Sequence, residues 1–325
     1  EVRRQGLGRE GGEGVGQEGA GEAQVGVSDT HVEVAGRQLK VTNLDKVLYP
    51  DTGFTKGEVI HYYATIAPTI LTHCAERCVT FRRYPNGVDG KSFFEKRCPS
   101  HRPDWVEVAL GPGDRNGDVA YCLLDEPAAV VWAANLAALE LHTPMARADD
   151  LDAPQMLVFD LDPGPDTGMA ECAEVGLELA EVLATVDLEV FAKTSGSKGL
   201  QLYVPLNSPH HSHEHCADFA RAAGQLLEKR RPKQVTTNMA KSERPGRVFI
   251  DWSQNSRHKT TVCVYSLRAR PAPTVSTPVT WEEVEDAASG MPLSFEAGDV
   301  LDRVEDLGDL FAPTATLVQH LPAAS

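Results

Sequence analysis

The run Met156-Leu157-Val158-Phe159-Asp160-Leu161 constrains this chain more than any other stretch. It is apolar except for one acid, follows Pro154, and ends in Asp162-Pro163-Gly164, a strand stopped by a turn. Asp160 stands where packing would prefer a hydrophobe, two residues before Asp162. Side chains at i and i+2 of a strand point to one face. Two carboxylates that close repel unless a cation lies between them. A divalent ion held by oxygen ligands answers both the placement and the repulsion. A strand-end turn with an Asx cap uses the same residues, so the pair alone leaves both readings open.

Around this strand, helices and strands alternate without a constant βαβ unit. The sequence predicts a hairpin over 31–41, a turn over 44–49, and a helix from Lys56 capped by Thr55. Short strands follow at 78–84, 92–96, 105–110 and 120–123, then a small-residue helix over 126–138. After the strand at 156–161 come a helix (169–185), strands (189–193 and 200–205), a helix (214–228), and strands (247–251 and 261–265). This reads as an α+β fold with mixed or antiparallel sheets and flanking helices. Residues 1–29 form a Gly/Glu-rich tail expected to be flexible. Residues 30–290 form the domain, expected as two closely packed lobes. Residues 291–325 are an acidic segment packed on the domain or trailing it.

Hydrophobic residues make up 42% of the 325 residues, which excludes a wholly disordered chain. No apolar run reaches the roughly 20 residues of a membrane span, and no apolar signal core opens the chain. The seven cysteines are scattered and show no zinc spacing, so reduced thiols and a cytoplasmic, nucleoid-associated location are expected. The net charge of −16 argues against a nucleic-acid partner, but its distribution does not. Residues 228–270 hold 11 bases against 3 acids, and 76–102 hold 7 against 3. A polyanion responds to such local fields.

Further residues carry chemistry. Asp251 ends the apolar strand Val248-Phe249-Ile250 and could supply a third carboxylate, as two-metal phosphoryl transfer requires. Ser195-Gly196-Ser197-Lys198-Gly199 makes a loop able to cradle an anion, although it lacks the Walker A spacing and also reads as a hairpin turn. Arg268 and Arg270 alternate on one strand face, suited to phosphate oxygens. His142 could touch a phosphate. His210, His211, His213 and His215 read as a solvated loop. Lys46 and Lys56 flank a helix start and could grip a terminal phosphate. Arg82 and Arg83 end a basic strand. Phe93-Phe94 lie between Lys91 and Lys96, and adjacent strand positions cannot both face inward. One ring is therefore expected to be exposed and free to stack on a base.

In order and spacing, these elements resemble the primase-polymerase domain of bacterial ATP-dependent DNA ligase D, in the archaeo-eukaryotic primase superfamily. The matching stretches are Thr42–Pro50, Thr55–Glu58, Phe93–Lys96, Leu141-His142, Val158–Gly164, Thr194–Gly199 and Asp251–Asn255, and they cover about 30–290. The resemblance implies a primase-polymerase-like catalytic core that adds ribo- or deoxyribonucleotides to a primer 3′-hydroxyl in non-homologous end joining. It implies Asp160, Asp162 and Asp251 as catalytic acids holding two Mn2+ or Mg2+ ions. It implies His142, Ser195, Lys198, Gln201, Gln254, Arg268 and Arg270 around an NTP or dNTP. Lys46 and Lys56 would recognise a 5′-phosphate at gaps or broken ends, with Arg82, Arg83, Phe93 and Phe94 on DNA. Ku and a separate ATP-dependent DNA ligase are implied partners. The chain would be a stand-alone member or a module of a longer protein. It departs from the family at Gln201, where Gly-x-His is usual. Glutamine can donate one hydrogen bond to a phosphate but brings no charge, so weaker nucleotide binding or slower transfer is expected. A non-catalytic 5′-phosphate end-binding module and a metal-dependent phosphodiesterase remain as rival readings.

Overall fold

A computed structural model describes residues 30–113 and 117–322. The tail 1–29 lies outside the described residues. The chain opens with the hairpin β1 (Thr30–Val34) and β2 (Arg37–Val41). The ribbon β3 (Val47–Tyr49) and β4 (Phe54–Thr55) leads into α1 (Lys56–Cys74). The expected turn at 44–49 is thus partly strand, because 54–55 fold back and pair with it. Thr55 caps α1 reciprocally: its hydroxyl accepts from the Glu58 N–H, and the Glu58 carboxylate accepts from the Thr55 N–H.

Next come β5 (Thr80–Arg83), β6 (Phe93–Glu95), β7 (Val108–Pro112), β8 (Asp118–Cys122), α2 (Pro127–Asn135) and β9 (Ala138–Thr143). The central stretch holds β10 (Met156–Pro163), α3 (Met169–Ala184), β11 (Phe191–Thr194), β12 (Leu200–Pro205) and α4 (His213–Arg230). Then follow β13 (Val235–Thr236), β14 (Val248–Asp251), β15 (Thr261–Val262), β16 (Pro278–Val279), α5 (Trp281–Ala288) and α6 (Ala297–Leu307).

Two sheets build the frame. One has six strands in the order β13-β14-β10-β12-β11-β16, antiparallel except for the β13/β14 pair. The other has four antiparallel strands in the order β15-β9-β5-β6. The arrangement is the α+β fold with antiparallel and mixed sheets that the sequence suggests.

β10 explains its own composition. Leu157, Phe159 and Leu161 enter a core shared with α3 and α4, whereas Met156 and Val158 enter a second core shared with α1 and α2. The strand is apolar on both faces because a core lies on each side. On the even-numbered face the apolar residues stop after Val158, and Asp160 and Asp162 follow on that face. The C-terminal segment joins both cores, Phe311 in one and Leu321 in the other.

Two expectations need correction. The helix predicted over 126–138 ends at Asn135, and 138–143 is a strand in the middle of the smaller sheet. Ala137 makes the break with a positive φ of 56°. An Ala-rich apolar run has no period that separates helix from buried strand. The cysteines are not all thiols. Cys98 and Cys122 form a disulfide, their Cα atoms 4.9 Å apart, because the Cys98 N–H bonds to Ala120 and draws the chain onto the end of β8. The other five cysteines are free and buried.

Candidate active site

The register of the larger sheet lines up one transverse row. Asp160 pairs with Asp251 on β14 and with Gln201 on β12, and Gln201 pairs with Lys193 on β11. Directly opposed residues share a face, so this row runs acid, acid, amide, ammonium. Asp162 lies two residues along β10 on the same face. Burial, the Asp162 charge and the Asp251 charge raise the Asp160 pKa, against the pull of Gln201 and Lys193. Asp162 is also raised, by burial and by Asp251, while Arg244 and Arg268 oppose.

A cavity of about 380 Å3 opens over this row. Asp160, Asp162 and Gln201 form one wall, and His142, Arg268 and Arg270 border it elsewhere. The loop Ser195–Gly199 closes one side. Within the loop, the Ser195 hydroxyl accepts from the N–H groups of Ser197 and Gly199, at 3.3 and 3.1 Å. Gly196 has φ +64°, and a Cβ there would sit 2.6 Å from the Val275 backbone, so only glycine fits. Arg268 donates to the Ser195 carbonyl at 2.6 Å, and Arg270 bonds to the Ser197 hydroxyl. Lys198 is exposed at the cavity edge, and its ammonium has no protein partner among the described residues.

Asp251 shares the row but does not line the cavity. Its carboxylate accepts from the Ser253 N–H at 3.0 Å, the Ser253 hydroxyl at 2.6 Å and Gln254 at 3.0 Å. The 3-10 turn at 252–255 is pinned to β10 by Asn255, whose amide bonds both the N–H and the carbonyl of Val158 at 2.8 Å. Among the described residues, no three His, Cys, Asp or Glu side chains are gathered closely enough to hold an ion. The all-oxygen pair Asp160/Asp162 nevertheless fits a hard divalent cation, since Asp162 raises Asp160, Asp251 raises both, and the pair lacks a full counter-charge. Asp251 faces the same row with its carboxylate oxygens engaged by Ser253 and Gln254.

The smaller sheet presents its own row. Arg82 pairs with Glu140 and with Phe94, and Thr80 with His142. Glu140, which the sequence reading passed over, is the hub. It lies 2.9 Å from His142 Nε2, 3.5 Å from Arg82 and 3.4 Å from Arg268, and accepts from the Ala269 N–H. Burial alone would raise its pKa, but the His142 hydrogen bond, Arg268 and the His142 charge hold it down at about 2. His142 is itself lowered by burial, against the lift from Glu140. Arg244, also passed over, lines the cavity with its guanidinium 3.8 Å over the Phe249 ring. Glu140 interrupts an apolar run, whereas Arg244 lies in a polar, charged stretch that carries no such signal.

Phe93 and Phe94 are both exposed, at 45% and 58%, and not one alone. β6 is the edge strand of its sheet. The rings take opposite faces. Phe94 lies under Arg82 and edge-on to His142, on the cavity side. Phe93 lies under Arg83. Arg83 pairs with Glu95 and donates to the Leu136 carbonyl. Lys56 is buried and donates to Thr42, while exposed Lys46 donates to the Pro85 carbonyl and to Asn86. Burial, then Lys46 and Arg83, lower the Lys56 pKa to about 8. The histidine stretch is not a solvated loop throughout. Ser212 caps α4, and His213 is buried against the carbonyls of Asn255 and Leu151.

With this geometry in view, comparison with known proteins gives a family. The chain matches the description "LigD, primase-polymerase domain" over residues 55–311. It is 44% identical over 278 residues to the Mycolicibacterium smegmatis multifunctional non-homologous end joining protein LigD, covering 85% of this chain and 36% of that protein. It is 29% identical over 271 residues to the Bacillus subtilis bifunctional non-homologous end joining protein LigD, covering 83% of this chain and 43% of that one. The polymerase domain of Mycobacterium tuberculosis ligase D, solved in complex with DNA, superposes with a TM-score of 0.80 at 41% identity, over 86% of this chain and 99% of that one. The chain belongs to the LigD primase-polymerase domain family. It spans less than half the length of these two end-joining proteins. Among the described residues, no helix is long and apolar enough to cross a membrane.

Proposed function

We propose that this domain is a metal-dependent nucleotidyltransferase that extends a primer 3′-hydroxyl at gaps or broken DNA ends. The observation that carries the reading is one cavity with an acid pair on one wall and the Ser195–Lys198 loop, Arg268 and Arg270 around it. That division suits a substrate whose phosphates need cations and whose reacting centre needs carboxylates.

Asp160 and Asp162, with Asp251 recruited, are the residues that would hold two Mn2+ or Mg2+ ions. Such ions supply a lowered pKa for the attacking hydroxyl and charge stabilisation for the leaving pyrophosphate. The chain's own groups do the rest. Lys198, Arg268 and Arg270 bind the triphosphate and neutralise its charge, and the Ser195 loop limits where it can lie. Glu140 keeps His142 and Arg268 directed at the cavity. Phe94 stacks on a base. Lys56, Lys46 and Arg83 form a separate cationic patch for a 5′-phosphate.

The mycobacterial ligase D polymerase domain solved with DNA supports DNA as the partner here. The end-joining names of the relatives support non-homologous end joining as the setting, with Ku and an ATP-dependent ligase as partners and the nucleoid as location. A second reading, end binding with weakened transfer, draws on the Asp251 carboxylate being tied to Ser253 and Gln254. Incubation of gapped, 5′-phosphorylated duplex with Mn2+ and each NTP or dNTP separates the two. Longer primers are expected; bound but unextended DNA would favour the second reading, and shortened strands would favour a nuclease.

A further inference from the structure

Both ends of the Gln201 side chain are hydrogen-bonded. Lys193 Nζ donates to Gln201 Oε1 at 2.6 Å, and Gln201 Nε2 donates to Asp160 Oδ1 at 2.9 Å. With Lys193 as an ammonium and Asp160 as a carboxylate, the first only donates and the second only accepts, which sets the amide in one orientation. Tyr203 adds a second hydroxyl donor to the same Oε1, at 3.4 Å.

Lys193 is itself held. Its other N–H groups meet the Val262 carbonyl at 3.2 Å and the Ser276 hydroxyl at 2.6 Å, and Ser276 in turn donates to the Thr194 carbonyl at 2.9 Å. All three lysine donors are therefore used. Lys193 is 1% exposed and Gln201 3% exposed. The sheet register makes this spacing obligatory, because Lys193, Gln201 and Asp160 are successive cross-strand partners.

We propose that Lys193 and Gln201 form a buried positioning relay that fixes the Asp160 carboxylate for cation binding, so that Gln201 serves the acid and not the nucleotide phosphates. This rests on the nucleotidyl-transfer reading and assigns that site two residues which never touch the reacting atoms. Glutamine passes on the lysine's orientation without adding a charge beside the cation.

The test is Mn2+ binding to the full chain without nucleotide, read as the electron paramagnetic resonance signal of free Mn2+. Gln201→Met and Lys193→Met keep the side-chain length and remove the relay. Each is expected to weaken Mn2+ binding by about 10-fold, the usual scale for an outer partner of a metal ligand. The double variant is expected to be no weaker than either single one, because both break the same chain of bonds. Additive losses, or unchanged Mn2+ affinity, would overturn the relay. If Lys193→Met fails to fold, Gln201→Met decides alone. A weaker Mn2+ site supports positioning, and an unchanged Mn2+ site with weaker nucleotide binding makes Gln201 a phosphate ligand instead. A wild-type chain that binds Mn2+ through the relay yet extends no primer would sink the polymerase reading and leave the relay standing.

Discussion

Asp160 and Glu140 belong to two neighbouring walls of one site, and their pKa values move in opposite directions. Asp160 lies beside two other acids on the larger sheet and is pushed up by burial, by Asp162 and by Asp251. Glu140 is more deeply buried, yet His142 and Arg268 outweigh its desolvation and hold it near 2. Burial is common to both; the neighbours decide the sign. Glu140 already has its cations and works as a structural counter-charge. Asp160 lacks one, which is the condition of a residue awaiting a ligand.

The largest expected effect breaks the acid wall. Asp160→Ala or Asp162→Ala should reduce Mn2+-dependent primer extension on the order of 10^3-fold, measured by single-turnover gel assay. Activity within a few-fold of wild type would remove the acids from the chemistry.

Next comes the contrast itself. Glu140→Gln strands Arg82 and Arg268 without their buried partner and should destabilise the fold by about 3 kcal/mol at neutral pH. Glu140 has a depressed folded pKa, so its contribution is present above the ordinary carboxylate range and is lost as pH falls toward 2. Asp160 has a folded pKa raised to about 7, so its ionisation costs stability that builds up as pH rises from the ordinary carboxylate range to about 7. Asp160→Asn should therefore gain stability in chelator at pH 8, on the order of 1 kcal/mol, kept small by solvent at the cavity mouth. Urea unfolding of both variants with and without Mn2+ checks the pair. Loss in both variants without metal would dissolve the comparison.

A smaller effect separates the faces of β6. Phe94→Ala should weaken nucleotide or template binding about 10-fold through lost stacking, whereas Phe93→Ala should leave it within two-fold or so and act on the Lys56/Arg83 side. Fluorescence titration with labelled nucleotide and with labelled gapped DNA distinguishes them. The smallest effect is a pH dependence. Lys56 is charged below about 8, so the preference for a 5′-phosphate over a 5′-hydroxyl end should fall a few-fold between pH 7 and 9. Lys56→Gln should flatten that profile.

Much of this was legible before any coordinates. Thr55 announced the start of α1 as its cap. The strand at 200–205 fell on its predicted limits, and Asp160 and Asp162 were marked by their intrusion on an apolar run. Glu140 was not legible, because the Ala-rich run before it reads equally as helix. The Cys98–Cys122 bond was not legible either, since 24 residues separate the partners. Nor was the exposure of both Phe93 and Phe94, which depends on what packs over each face of β6.

The sequence by itself determined which segments are strands or helices wherever their periodicity is clean, and which charges sit where packing disfavours them. These are local properties, written in spacings of two, three or four residues. Only the tertiary structure decided what each charge meets. Register across three strands joined Lys193 to Gln201 to Asp160, and the smaller sheet gathered arginines around Glu140. A pKa depends on distances through space, and strand pairing sets those between residues that the chain keeps far apart.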